Sequence, residues 1–161
     1  MKHTAYLAFS SNLGDRVANL RNALIALPPL MRIWAASYVY EAQSKDSSQP
    51  PFLNLVARAT TDLTPLGLLK YLKKKEAELG RDPNISAGLF KIDIDILFYD
   101  DITFKKGGLI IPHPRLHERI FVLEPLAAIA PALTHPVSDK TMKELLEKCD
   151  KKITLKKYNV N

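Results

Sequence analysis

The chain holds one cysteine, Cys149, among 161 residues. A single thiol excludes an intrachain disulfide and leaves a cysteine-based zinc site without ligands. Tryptophan is equally scarce, with Trp34 alone, and there are only six glycines. No apolar run approaches the ~20 residues that cross a bilayer as a helix. Met1-Lys2-His3-Thr4 leads into a short alternating segment, not into the apolar core of a signal peptide. These absences set the expectation of a cytoplasmic protein with no membrane partner. Internal repeats and long low-complexity linkers are missing too. Ser44-Lys-Asp-Ser-Ser-Gln-Pro-Pro51 is the one clear polar, proline-terminated loop.

What is present fits one globular domain over residues 1–161. The apolar fraction is 47% and the charged fraction 25%, ordinary values for a chain long enough to bury a core. Net charge is +6 and the pI about 9.4, a balance that suits an anionic ligand. Part of the excess is dull: Lys70, Lys73, Lys74 and Lys75 share one helical segment, and Lys151, Lys152, Lys156 and Lys157 lie in the tail. Such runs are usually solvated faces.

The most informative stretch is Lys91-Ile-Asp-Ile-Asp-Ile-Leu-Phe98. Its alternation has a period of two and predicts a β-strand. Asp93 and Asp95 then share one face, with Ile92, Ile94, Ile96 and Phe98 on the other. Two carboxylates two residues apart repel, which raises the cost of ionising both. A hard divalent cation such as Mg²⁺, which takes carboxylate oxygens and keeps waters for phosphate to displace, would relieve this. A solvated acidic edge strand is the plainer alternative.

Around that strand the pattern reads as follows. Thr4–Ser10 is a strand, and Asp15 caps a helix carrying Val17, Leu20, Leu24 and Leu27 that ends at Pro28-Pro29. Arg32–Tyr40 and Phe52–Thr60 are strands, the second placing Phe52, Asn54 and Val56 on one face and Leu53, Leu55 and Ala57 on the other. Thr64-Pro65 opens a helix that Gly80 closes. After the Asp-bearing strand come a hairpin around Gly107-Gly108, a broken helix over Leu116–Ile129, a helix over Thr141–Lys148 and a short strand over Ile153–Tyr158. The class is α+β: a ferredoxin-like βαββαβ antiparallel sheet with helices, followed by a C-terminal α/β extension.

Four segments in this order resemble one family. Tyr6-Leu-Ala-Phe-Ser-Ser-Asn-Leu-Gly-Asp15, Gln49-Pro-Pro-Phe-Leu-Asn54, Ile92-Asp-Ile-Asp-Ile-Leu-Phe-Tyr99 and Ile111-Pro-His-Pro-Arg-Leu-His-Glu-Arg-Ile-Phe-Val-Leu-Glu-Pro-Leu126 are similar to motifs of the 6-hydroxymethyl-7,8-dihydropterin pyrophosphokinases. The resemblance implies transfer of pyrophosphate from ATP to the hydroxymethyl group of a reduced pterin, leaving AMP, by a monomer with no nucleic-acid partner. It implies two Mg²⁺ ions held by Asp93 and Asp95 beside the ATP phosphates, since phosphoryl-type transfer needs charge neutralisation and alignment more than covalent chemistry. It places ATP on Ile96, His113, Arg115 and Arg119, with Arg81 as a catalytic cation of the preceding loop; Lys91, beside the position of the family's missing arginine, is the candidate to replace it. It places the pterin between Phe52 and Phe121, with Asn54 on the ring edge and Ala42 and Ser44 supplying loop contacts.

The chain also departs from that family. Its first strand ends Ser10-Ser11-Asn12 where Gly-Ser-Asn is usual. Its pterin loop reads Ala42-Gln43-Ser44. Its Arg81–Lys91 loop lacks the usual tryptophan and puts Phe90 where an arginine is expected. A catalytically weak homologue that binds pterin or nucleotide in a regulatory or structural role is therefore the alternative. A small basic RNA-binding module is a third reading, opposed by the two aspartates and by the lack of a paired aromatic ribonucleoprotein motif.

Overall fold

A computed structural model describes residues 2–43, 49–80, 84, 88–151 and 153–160. It is α+β. In chain order the elements are β1 (His3–Ser11), α1 (Arg16–Ala26), β2 (Met31–Ala36), β3 (Tyr40–Gln43), β4 (Phe52–Thr61), α2 (Pro65–Glu78), β5 (Asp93–Tyr99), β6 (Phe104–Lys106) and β7 (Leu109–Ile111). A 3₁₀ turn (Leu116–Glu118), α3 (Ile120–Ile129), α4 (Met142–Lys148) and β8 (Thr154–Lys157) complete it. The main sheet runs β5-β1-β4-β3-β8, with β2 also paired to β4. All of its pairings are antiparallel. Among the described residues no helix is long and apolar enough to cross a membrane.

The sheet is buried on both faces because its strands alternate between two apolar sets. Leu7 and Phe9 of β1, Leu55 and Ala57 of β4, and Ile94 and Ile96 of β5 pack against Leu20 and Ala23 of α1 and Leu68 and Leu72 of α2. Ala8, Val56 and Phe98 face the other way, onto Ile120 and Leu123 of α3 and Met142 and Leu145 of α4. The helix starts are the expected ones. The Asp15 carboxylate accepts from the Ala18 N–H at 3.1 Å. Thr64 Oγ1 accepts from the Gly67 N–H at 3.1 Å, with Pro65 in the first turn. Thr141 and Glu144 form a reciprocal capping box on α4.

Two local expectations need correction. The strand read over Arg32–Tyr40 is two strands with a break at Ser37–Val39. Ser37 pairs with Val56 through its own N–H (2.8 Å) and then accepts the Val56 N–H on its hydroxyl (3.0 Å). A side chain thus takes a backbone carbonyl's place and interrupts the ladder. Second, Phe98 does not join Ile92, Ile94 and Ile96. The β1–β5 register steps from Leu7↔Ile96 to Tyr6↔Phe98, leaving Leu97 as an extra residue. This bulge turns Phe98 onto the face that carries the aspartates, where it packs with α3 and α4.

Candidate active site

The site begins as a row across the sheet. In register, Asp93 of β5 stands beside Ser10 of β1, Ser10 beside Asn54 of β4, and Asn54 beside Tyr40 of β3. Side chains of such cross-strand partners share a face, with Cβ atoms about 4.5–5.5 Å apart. Two residues further along, on the same face, Asp95 stands opposite Ala8. The face that these residues present opens into a cleft of about 780 Å³, within the range of small-ligand sites. Asp93, Asp95, Arg115, Arg119, Phe52 and Phe121 all line it. Six of the predicted site residues, from three separate segments, therefore meet in one cavity.

The carboxylate end is electrostatically tense. The Asp95 carboxyl is pushed up to about 7, first by burial and next by the neighbouring Asp93 carboxylate, with which it shares a hydrogen bond; Arg119 and Lys73 oppose this. Among the described residues no group of three or more His, Cys, Asp or Glu side chains is placed to hold a metal ion. Two repelling carboxylates alone suit Mg²⁺, which takes one or two protein carboxylates and completes its shell with water and phosphate oxygens.

Basic groups gather beside the pair. Arg119 lines the cleft at the start of α3, its guanidinium 5.7 Å from the centre of the Phe121 ring. Arg115 also lines it but is shared with Glu118 at 3.2 Å. His113 occupies an adjoining groove together with His117 and His135. Its backbone N–H donates to the carbonyl of the bulge residue Leu97 at 3.0 Å, so the bulge anchors this loop. Burial, and then the charge of Arg119, hold the His113 imidazole down at about 4. The ring is thus neutral at pH 7. Its Nδ1 accepts the Arg115 N–H at 3.3 Å, which leaves Nε2–H as a donor.

The aromatic end is built but closed. Phe52 and Phe121 meet edge to face, with ring centres 5.0 Å apart and planes at 85°. A flat ring stacked between them would need parallel faces about 7 Å apart, twice a ~3.5 Å contact. Asn54 is fully buried and, unlike Phe52 and Phe121, does not line the cleft. Its Oδ1 accepts from the Ser10 hydroxyl at 2.8 Å and its Nδ2 donates to the Phe121 carbonyl. One N–H and one lone pair of the amide remain uncommitted in this network.

Other predicted residues fall elsewhere. The Ile96 side chain is buried in the helix-side core, which leaves only its backbone for ATP. Ala42 is buried opposite Phe52. Lys91 is exposed and rests on Gly80 at the end of α2, where a Cβ on that glycine would lie 3.1 Å from Lys91 Cδ. It does not line the cleft, whereas Phe90 does. Ser44 and Arg81 lie outside the described residues.

The cleft also has walls that the sequence reading did not assign. Asn12 takes the backbone of the preceding loop in a clamp: its Oδ1 accepts the Phe90 N–H (2.8 Å), its Nδ2 donates to the Gly88 carbonyl (2.7 Å), and its own N–H donates to the Phe90 carbonyl (3.1 Å). The Ser-Asn pair ending β1 was a visible signal for it. Lys148, Cys149, Asp150 and Ile153 close the far side, and no local pattern in the C-terminal segment announces that contact.

Comparison with known proteins agrees with the geometry. Residues 6–131 match the family model described as 7,8-dihydro-6-hydroxymethylpterin-pyrophosphokinase (HPPK). The chain is 40% identical over 142 residues to the 2-amino-4-hydroxy-6-hydroxymethyldihydropteridine pyrophosphokinase of Aquifex aeolicus, covering 88% of this chain and 89% of that protein. It is 40% identical over 149 residues to the folic acid synthesis protein fol1 of Schizosaccharomyces pombe, covering 89% of this chain but only 20% of that much longer protein. The Plasmodium falciparum HPPK-DHPS wild-type structure superposes with a TM-score of 0.76 at 18% identity, over 92% of this chain and 45% of that one; at that identity the likeness concerns the fold. With the match extending over residues 6–131 and a relative of nearly equal length at 40% identity, the chain belongs to the 7,8-dihydro-6-hydroxymethylpterin-pyrophosphokinase family.

Proposed function

We propose that the chain transfers the terminal pyrophosphoryl group of ATP to the hydroxymethyl oxygen of 6-hydroxymethyl-7,8-dihydropterin in folate biosynthesis. The pterin oxygen bonds to the β-phosphorus and its hydroxyl proton passes to solvent, the bridge between the α- and β-phosphates breaks, and AMP leaves. The observation that carries this is the Asp93–Ser10–Asn54 row beside the cleft that Asp93, Asp95, Phe52 and Phe121 all line.

Asp93 and Asp95 would hold two Mg²⁺ ions, whose chemistry is to neutralise phosphate charge and align the attacking and leaving oxygens. Arg119 and Arg115 bind phosphate oxygens; a guanidinium fork suits this task better than a point charge. His113 adds a neutral Nε2–H donor, and Arg81 joins from the loop before β5. Ile96 meets ATP through its backbone. Phe52 and Phe121 part and turn to stack on the pterin, Asn54 reads its edge with the uncommitted N–H and lone pair, and Ala42 and Ser44 contact it through the main chain. Lys91, resting on Gly80, has at most a distant electrostatic part.

The strand order, with β2 and β3 both on β4, supports reading the sheet as a ferredoxin-like unit that α4 and β8 extend. We take the chain as one domain and a monomer whose partners are ATP and the reduced pterin. The test is AMP release by purified protein. It should require ATP, Mg²⁺ and the pterin together, and Asp93→Asn or Asp95→Asn should abolish it in a folded protein. AMP release that persists in both variants at wild-type rate would remove the assignment.

A further inference from the structure

Ser10 stands between the carboxylate end and the amide end of the cleft. It is half-buried, lines the cavity and stands in register between Asp93 on one side and Asn54 on the other. The hydrogen bonds around it have only one consistent direction. The Phe121 carbonyl can only accept, so the Asn54 Nδ2 must face it. That turns Oδ1 of Asn54 toward Ser10, and an amide oxygen can only accept as well. The single proton of the Ser10 hydroxyl is therefore committed to Asn54, at 2.8 Å. What Oγ has left are its lone pairs, which can only accept. Its other neighbour in the row, Asp93, is a carboxylate and offers no proton when ionised. A group that fits between them must donate.

We infer that Ser10 positions the nucleophile, its Oγ accepting a hydrogen bond from the O–H of the substrate's hydroxymethyl group. This rests on the pyrophosphoryl-transfer function proposed above. A pterin held over Asn54 between Phe52 and Phe121 must direct its hydroxymethyl arm toward Asp93 and Asp95, and Ser10 lies on that line. Holding the O–H toward Ser10 fixes the rotation of the arm and leaves an oxygen lone pair free to face the β-phosphorus. Ser10 does not take the proton. Its contribution is orientation, of the kind that converts a loosely held alcohol into an aligned one. Glycine at this position offers no such acceptor.

The experiment compares two ligands in two variants. Affinities for 6-hydroxymethylpterin and for 6-methylpterin, which lacks the hydroxyl, are measured by calorimetry with Mg²⁺ and a non-hydrolysable ATP analogue present. The wild type should prefer the hydroxymethyl compound by about fivefold or more, the worth of one ordinary hydrogen bond. Ser10→Ala should erase that preference while leaving 6-methylpterin affinity close to wild type, and should lower kcat by a similar factor. Ser10→Thr, which keeps the hydroxyl, should restore the preference. If Ser10→Ala weakens both ligands equally, Ser10 acts only by orienting Asn54, and the inference is overturned. It is equally overturned if the preference survives in Ser10→Ala. A wild type that binds neither pterin, or forms no AMP, would instead defeat the proposed function itself.

Discussion

Asn54 donates its amide N–H to the main-chain carbonyl of Phe121, tying the central strand β4 to the helix that carries one wall of the aromatic slot. The bond makes a side chain expected to recognise ligand into part of the fold as well. Asn54→Ala strands the Phe121 carbonyl and the Ser10 hydroxyl in a buried setting, at a cost of about 1–3 kcal/mol. Urea unfolding should show that loss, and pterin affinity should fall by more than the affinity for an ATP analogue. A stable variant with unchanged pterin affinity would contradict the placement.

Phe121→Ala removes one face of the slot. Loss of one aromatic stacking partner costs about 1–3 kcal/mol by analogy with nucleobase stacking. Calorimetry should place that loss on the pterin, with ATP-analogue binding much less affected. Since Phe52 and Phe121 meet edge to face at 5.0 Å, a pterin stacked between them should also shift the ring signals of both residues in NMR spectra. Rings that stay unperturbed at saturation would place the pterin elsewhere.

The carboxylate pair gives a pH signature without metal. The Asp95 carboxyl titrates near 7 when folded, against 3.8 ordinarily, so folding takes up a proton between those values. Its stabilisation is complete below about pH 4 and is lost as pH rises toward 7. The loss is at most about 4 kcal/mol, at about 1.4 kcal/mol for each tenfold change in proton affinity. Asp95→Asn does not titrate. In EDTA it should be the more stable protein at pH 8, with the gap closing toward pH 4. Added Mg²⁺ should stabilise the wild type and not the variant. A wild type that is more stable than Asp95→Asn at pH 8 in EDTA would refute the repulsive pair.

Arg119 is expected to act on phosphate and, through its charge, on His113. Arg119→Ala should slow transfer markedly, and Arg119→Lys should recover only part of it, because lysine lacks the planar fork. Removing the guanidinium should also raise the His113 titration from about 4 toward its ordinary range without reaching it, since burial is the larger cause. An NMR titration of the imidazole checks this.

Much of the architecture was legible because the governing signals are local. The Asp93–Tyr99 strand follows from its alternation, α1 from the Asp15 cap and α2 from Thr64-Pro65. What was not legible depends on partners remote in sequence. Ile96, Leu97 and Phe98 are all apolar, so nothing in the run marks Leu97 as the bulge that turns Phe98 over; the register with Tyr6 and Leu7 decides it. Ser37 reads as an ordinary strand residue until Val56 is opposite it. The site shows the same division. Asp93, Asp95, Arg115, Arg119, Phe52 and Phe121, which line one cleft, can be named from residue type and motif. The contact of Asn54 with Phe121 and the wall of Lys148, Cys149, Asp150 and Ile153 arise only when α3 and α4 fold over the sheet.

The central claim is that the cleft moves a pyrophosphoryl group and not a single phosphoryl group. Following the complete reaction of ATP, Mg²⁺ and 6-hydroxymethyl-7,8-dihydropterin by ³¹P NMR tests it most directly. The account predicts loss of the three ATP resonances with growth of one AMP signal and a coupled pair from a pterin diphosphate, in equal amounts. Appearance of ADP with a pterin monophosphate, or ATP left intact with pterin present, would contradict it.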